Sequence, residues 1–166
     1  MSQIDLLIRL GCGSEKIKAK IMTQRINFGT VEPAAYKAML GLERYLSQCG
    51  LESKLLHLIK VRASQINHCA FCTNMHLQEA KKAGETEQRL CSLDAWQETS
   101  CFTLREKAAL AFTEAVTLIA SNSIGDRLYQ QVSHHFSDNE ILQILTAIAT
   151  INAWNRIAIA TRMTMD

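Results

Sequence analysis

The chain has 166 residues, 48% of them hydrophobic and 20% charged, which suits one globular domain with its own core. Lys plus Arg number 18 against 16 for Asp plus Glu, a balance that speaks against nucleic-acid binding, which normally needs a basic face. One proline and seven glycines favour helices, and the six cysteines lack the spacing of a secreted disulfide framework.

The first residues, Met1 to Arg9, carry an acidic residue and no basic lead-in, and their apolar stretch is too short for a signal peptide. A reducing, cytoplasmic setting with mostly free thiols is therefore expected. Residues 1–30 are the least regular part, punctuated by Gly11, Gly13 and Gly29, and read as a solvated arm or a strand packed on a partner subunit.

From Pro33 the helical signals strengthen. Pro33 suits a first turn and Gly50 a stop, with Ala35, Met39, Leu42 and Leu46 at helical spacing between them. A second helix is expected over about 53–67, with Leu55, Leu56, Ile59, Ala63 and Ile66 as its apolar stripe and His57, Val61 and Ser64 on another face. Asn67 is placed to cap a third helix that carries Cys69, Cys72 and His76 and ends at Gly84. A shorter helix is expected from Thr86 through Trp96. Thr103 and Glu106 form a capping box for a helix reaching about Asn122. Another covers about Gly125 to His135. Ser137 and Glu140 form a second box, and the last helix runs to about Met163, apolar nearly all round, as a central or intersubunit helix. Gln143, Asn152, Asn155 and Arg156 interrupt it, so it reads as buried and not as a bilayer span. The expected fold is all-α, a single-domain bundle of about six or seven helices.

The chemistry concentrates in Asn67-His68-Cys69-Ala70-Phe71-Cys72-Thr73-Asn74-Met75-His76. Positions three or four apart share a helix face, so both thiols and the imidazole can point into one pocket. Two local effects can generate the reactive thiolate. The free N–H groups of the first helical turn favour it at Cys69, whereas His76 can take a proton from Cys72 directly or through water. The spacing leaves open which thiol attacks. Either choice gives the cycle in which a sulfenic acid condenses with the neighbouring thiol to a disulfide.

Alternatives exist. Cys69, Cys72, His76 and either His57 or His68 can supply four zinc ligands, although structural zinc sites usually gather two ligand pairs from two loops. His57, on the preceding helix, is taken alone as a structural or exposed residue. His68 can lower the Cys69 pKa or face solvent. His134 and His135 complement a helix C-terminus. Cys12, Cys49, Cys91 and Cys101 read as small apolar residues.

The stretch from Leu56 through Ser64-Gln65-Ile66-Asn67 to His76, the segment Ala83 to Leu90, and the closing Ala149 to Arg156 together resemble the alkylhydroperoxidase D-like branch of the carboxymuconolactone decarboxylase family. The likeness extends from about Met22 to Met163, so residues 1–21 read as an N-terminal extension and 22–166 as the domain. The resemblance implies an all-helical homo-oligomer, dimeric to hexameric, and a peroxidase without metal or organic cofactor. It implies Cys72 as the attacking thiol, Cys69 as the resolving one, and His76 as proton relay. The family pattern has a glutamate twelve residues before the first cysteine, where this chain has His57, which becomes a candidate base in its place. The implied partners are a hydroperoxide and a dithiol reductant, with no nucleic acid and no membrane. The rival functions are a thiol-disulfide oxidoreductase without peroxidase activity and a zinc-binding or purely structural helical oligomer.

Overall fold

A computed structural model describes residues 23–164, and the expectation of an N-terminal extension over residues 1–21 lies outside them. Within that range the protein is all-α, with eight α-helices, one 3-10 segment and no strand among the described residues. A short helix α1 (Phe28–Val31), capped by the Asn27 side chain on Thr30 N at 3.1 Å, adds to the expected set. Pro33 opens α2 (Pro33–Leu46), as its fixed φ allows. Then come α3 (Ser53–Ile66), α4 (Ala70–Lys82) and α5 (Glu87–Ser92), followed by the 3-10 segment Leu93–Glu98. The helix expected from Thr86 through Trp96 is thus divided after Ser92, and within the 3-10 segment Ala95 leaves helical geometry (φ −114°, ψ 38°) just before the buried Trp96.

Both capping boxes form. Thr103 and Glu106 open α6 (Leu104–Thr117), and Ser137 and Glu140 open α8 (Asp138–Thr161). Helix α6 stops short of Asn122. Leu118 and Ile119 have no core to enter and stand exposed, and the Ser-Asn-Ser that follows favours turn geometry. Helix α7 (Asp126–Ser133) leads back to α8.

Helix α8 is the central element, in contact with α2, α3, α4, α6 and α7. Its Ile144, Ile148 and Ile151 are fully buried. Around it, Leu46, Leu55, Ile59 and Phe112 form the main cluster, while Leu58, Val61, Leu93 and Leu110 form a second on the far side of α3. Helix α3 is therefore buried on more faces than its stripe suggested. Val61 and Ser64, expected on another face, are fully buried because α4, α6 and α8 surround the helix. A third, smaller cluster contains Ala63, Cys69, Cys72, Ile151 and Ala158 at the junction of α3, α4 and α8. The two cysteines are thus part of the core.

Candidate active site

The turn between α3 and α4 decides where the thiols stand. Helix α3 ends in a Schellman arrangement, with Cys69 N donating to Ser64 O and His68 N to Gln65 O, both at 3.0 Å. This closure puts His68 in the left-handed region at φ 55°, a conformation that a non-glycine residue rarely adopts. The reversed chain makes Cys69 itself the N-cap of α4, its sulfur accepting from Cys72 N at 3.4 Å. The cap expected of Asn67 is therefore corrected. Asn67 terminates α3, and its Nδ2 lies 2.9 Å from Asn155 Oδ1 and 3.0 Å from Asn152 Oδ1, stapling the turn to α8. The His68 side chain faces solvent.

Cys69 and Cys72 are 1% and 2% exposed, free thiols whose sulfurs lie 2.7 Å apart. At that distance the pair shares a proton, and its two sites titrate very differently. The hydrogen bond with Cys72, then the Cys72 backbone N–H and the buried Asn155 amide, bring Cys69 down from the ordinary 9.0 to about 7 against the opposing effect of burial. The same hydrogen bond with Cys69, together with burial, pushes Cys72 far up. Within the pair the thiolate is favoured at Cys69, at the helix N-terminus, over Cys72. Asn155 is held for this task by accepting from Asn67 and donating to Ser64 Oγ at 3.0 Å.

Beside the thiols lies a cavity of about 550 Å³ between α2, α3, α4 and the end of α8. Its walls are mainly apolar and aromatic, with Tyr36, Phe71, Met75 and Trp154 among them. Cys72 is on the wall and Cys69 is behind it. His57, His76 and Glu79 form the polar part of the same wall, next to the buried Lys60 and its partner Glu43.

His76 is 3% exposed, and its Nδ1 lies 2.7 Å from Glu79 Oε2. His57 Nδ1 approaches the same oxygen at 3.8 Å. The hydrogen bond with His76 holds the Glu79 carboxyl below its usual range. Burial lowers the His57 pKa more than Glu79 raises it, so His57 is neutral at pH 7. Nδ1–H of His76 donates to the carboxylate, which leaves Nε2 as a lone-pair acceptor. That Nε2, like His57 Nδ1, is buried and has no hydrogen-bond partner among the described residues. His76 therefore makes no direct bond to Cys72, and both side chains face the same cavity.

The structure thus brings together all four residues singled out from the sequence, Cys69, Cys72, His76 and His57. It adds two that were not. Glu79 follows His76 by three on the same helix, a spacing that signals a contact once His76 is a candidate. Asn155 reads in the sequence only as a polar interruption of the last helix. The zinc set of two thiols with two imidazoles does not assemble. Among the described residues, the His, Cys and carboxylate groups that gather at ligand distance are His57, His76 and Glu79, with neither cysteine.

An all-helical domain with a buried Cys-x-x-Cys at a helix start and an imidazole one turn on is an alkylhydroperoxidase D-like protein. The chain belongs to the carboxymuconolactone decarboxylase family, whose profile matches residues 33–115. It is 42% identical over 139 residues to YdfG of Bacillus subtilis strain 168, an uncharacterized protein, covering 84% of this chain and 95% of that one. A protein of unknown function from Agrobacterium tumefaciens, described as a candidate antioxidant defence protein AhpD, superposes with a TM-score of 0.85 at 42% identity, over 87% of this chain and 99% of its own. The alkylhydroperoxidase AhpD core of a peroxidase-related protein from Ralstonia eutropha JMP134 shares the fold, with a TM-score of 0.73 at 19% identity over 81% of this chain and 72% of that one.

Proposed function

We propose that the protein is a thiol-dependent hydroperoxide reductase in which Cys72 attacks and Cys69 resolves. One observation supports this assignment above the others. Cys72 lines the cavity, while Cys69 lies behind it with its sulfur 2.7 Å away.

Because the thiolate is favoured at Cys69, attack by Cys72 first requires a proton to move between the two sulfurs. As a hydroperoxide enters, Cys72 passes its proton to Cys69 and becomes the thiolate at the cavity wall. A thiolate of higher pKa is the stronger nucleophile, so this transfer creates the reactive form only where the substrate is. Cys72 sulfur then attacks the terminal oxygen, the O–O bond breaks, and Cys72 becomes a sulfenic acid. The leaving alkoxide takes up one proton from solvent, carried to it through His76 Nε2, and departs as the alcohol. Cys69 next attacks the Cys72 sulfur. Its thiol proton leaves with the hydroxide as water, and a disulfide remains. Two thiols are oxidised and one peroxide is reduced. A dithiol protein returns the electrons by exchange.

In this reading Glu79 supplies the negative charge that the family's usual glutamate would bring from α3, and His57 occupies that glutamate's position. The protein works as a homo-oligomer in the reducing cytoplasm. Exposed Leu142 and Ile159 on α8 and Leu118 and Ile119 after α6 support a partner subunit. No helix among the described residues is long and apolar enough to cross a membrane.

The test is a count of free thiols before and after one equivalent of cumene hydroperoxide. The wild type is expected to lose two thiols and release one alcohol, and Cys72→Ser to consume no peroxide with its fold intact. Unchanged consumption in Cys72→Ser would overturn the assignment. A thiol-disulfide oxidoreductase is the second reading, favoured by the low pKa of Cys69 at the helix N-terminus. It predicts disulfide exchange through Cys69 with no peroxide consumption.

A further inference from the structure

The geometry points to a divalent transition-metal site, of the zinc class, formed by His57, His76 and Glu79 in the cavity wall beside the thiols. One ligand atom from each lies within 4.8 Å of the others. Two imidazole nitrogens and one carboxylate oxygen are a borderline-soft donor set that prefers zinc, cobalt or ferrous iron to magnesium or calcium. Three protein ligands facing a cavity leave a coordination position open, as in open zinc sites that complete the tetrahedron with water.

The second observation is independent of the clustering. His57 Nδ1 is buried with no hydrogen-bond partner among the described residues, and it stands 3.8 Å from Glu79 Oε2. Buried polar atoms are nearly always satisfied, and this nitrogen belongs to the cavity wall. An ion held by His57 Nδ1 and Glu79 Oε2 would take His76 through Nδ1, 2.7 Å from the same oxygen, in place of that nitrogen's proton. The carboxylate between them provides the negative charge, and the nearby Lys60 ammonium is already neutralised by Glu43. The thiols are outside the set, which separates this site from a structural Cys–His zinc module.

The ion and the proton relay compete for the same Glu79 oxygen, so the bound form is an off-state of the relay. That consequence rests on the peroxidase reading. Binding itself does not, because it is read on the protein whether or not peroxide is consumed.

The test uses the full chain in its reduced form, titrated with Zn2+ against a chromophoric chelator and separately with Co2+ followed by absorption. One ion per chain is expected. Co2+ should give visible d–d bands of a low-symmetry nitrogen and oxygen site and no thiolate-to-cobalt charge-transfer band in the near ultraviolet. The Cys69→Ser/Cys72→Ser double variant should bind as the wild type does. His57→Ala and Glu79→Gln should each weaken binding by about a hundredfold or more, since even outer residues of such sites change affinity by roughly 10–100-fold. A charge-transfer band in the wild type, loss of binding in the double-cysteine variant, or affinity unmoved by His57→Ala and Glu79→Gln would each overturn the proposal. The cobalt spectrum needs no variant, so the proposal remains testable if a substitution impairs folding.

Discussion

Glu79 and His57 face each other across the α3–α4 interface. The carboxylate stands on α4 and the imidazole on α3, with Oε2 and Nδ1 3.8 Å apart, and the same Oε2 lies 2.7 Å from His76 Nδ1. The position twelve residues before Cys69 is thus filled by an imidazole, and the Glu79 carboxylate stands beside it from the neighbouring helix. A carboxylate in contact with His76 fixes the tautomer that leaves Nε2 free to take or give a proton.

Removing that charge should slow the reaction without unfolding the protein. Glu79→Gln is expected to lower peroxide turnover by about a hundredfold, the low end of what a positioned acid–base group contributes. The double exchange His57→Glu with Glu79→His should recover more activity than either single change alone. Steady-state rates on the four proteins check this. A double variant no better than the worse single one would mean that the two positions do not act as a pair.

The shared proton predicts a pH signature in activity. With Cys69 brought down to about 7, turnover should rise through that pH and then level. Asn155→Ala removes one of the groups that lower the Cys69 pKa, so its profile should move to higher pH. The same change removes one hydrogen bond each from Ser64 and Asn67 and should cost about 1–3 kcal/mol of stability. Rate profiles and urea unfolding read the two effects separately.

Stability should also follow the thiols. Between about pH 7 and the ordinary thiol value of 9.0, the native pair holds one proton and the unfolded chain two, so stability rises with pH. Above 9.0 the unfolded chain has released both while Cys72, pushed up by its bond to Cys69 and by burial, still holds one, so stability falls. Urea midpoints measured across this range should pass through a maximum. The Cys69→Ser/Cys72→Ser variant should lack it.

His68 bears backbone strain at φ 55° to keep Cys69 on the helix end. A β-branched residue there should cost roughly 1–2 kcal/mol more, whereas glycine accepts the conformation freely. Unfolding of His68→Val and His68→Gly should therefore bracket the wild type, with His68→Val the least stable and slower in turnover because its Cys69 cap is displaced.

Local chemistry was readable and long-range approach was not. The boxes Thr103–Glu106 and Ser137–Glu140 each need only three residues of spacing, so their helix starts were legible. The Cys69, Cys72 and His76 face follows from helical periodicity alone. The second buried side of α3 was not legible, because Val61 and Ser64 are covered by helices distant in sequence. Asn67 looked like a cap because asparagine often is one. Its actual partner, Asn155, is 88 positions further along the chain. Glu79 lay within reach of periodicity through His76, but its contact with His57 depends on how α3 and α4 pack, which no local pattern encodes.

The most direct measurement is a sulfenic-acid trap on the Cys69→Ser protein. With dimedone present during one equivalent of cumene hydroperoxide, mass spectrometry of the digested protein should find the adduct on Cys72. An adduct on Cys69 in the complementary Cys72→Ser protein, with Cys72 unmodified in Cys69→Ser, would contradict the account.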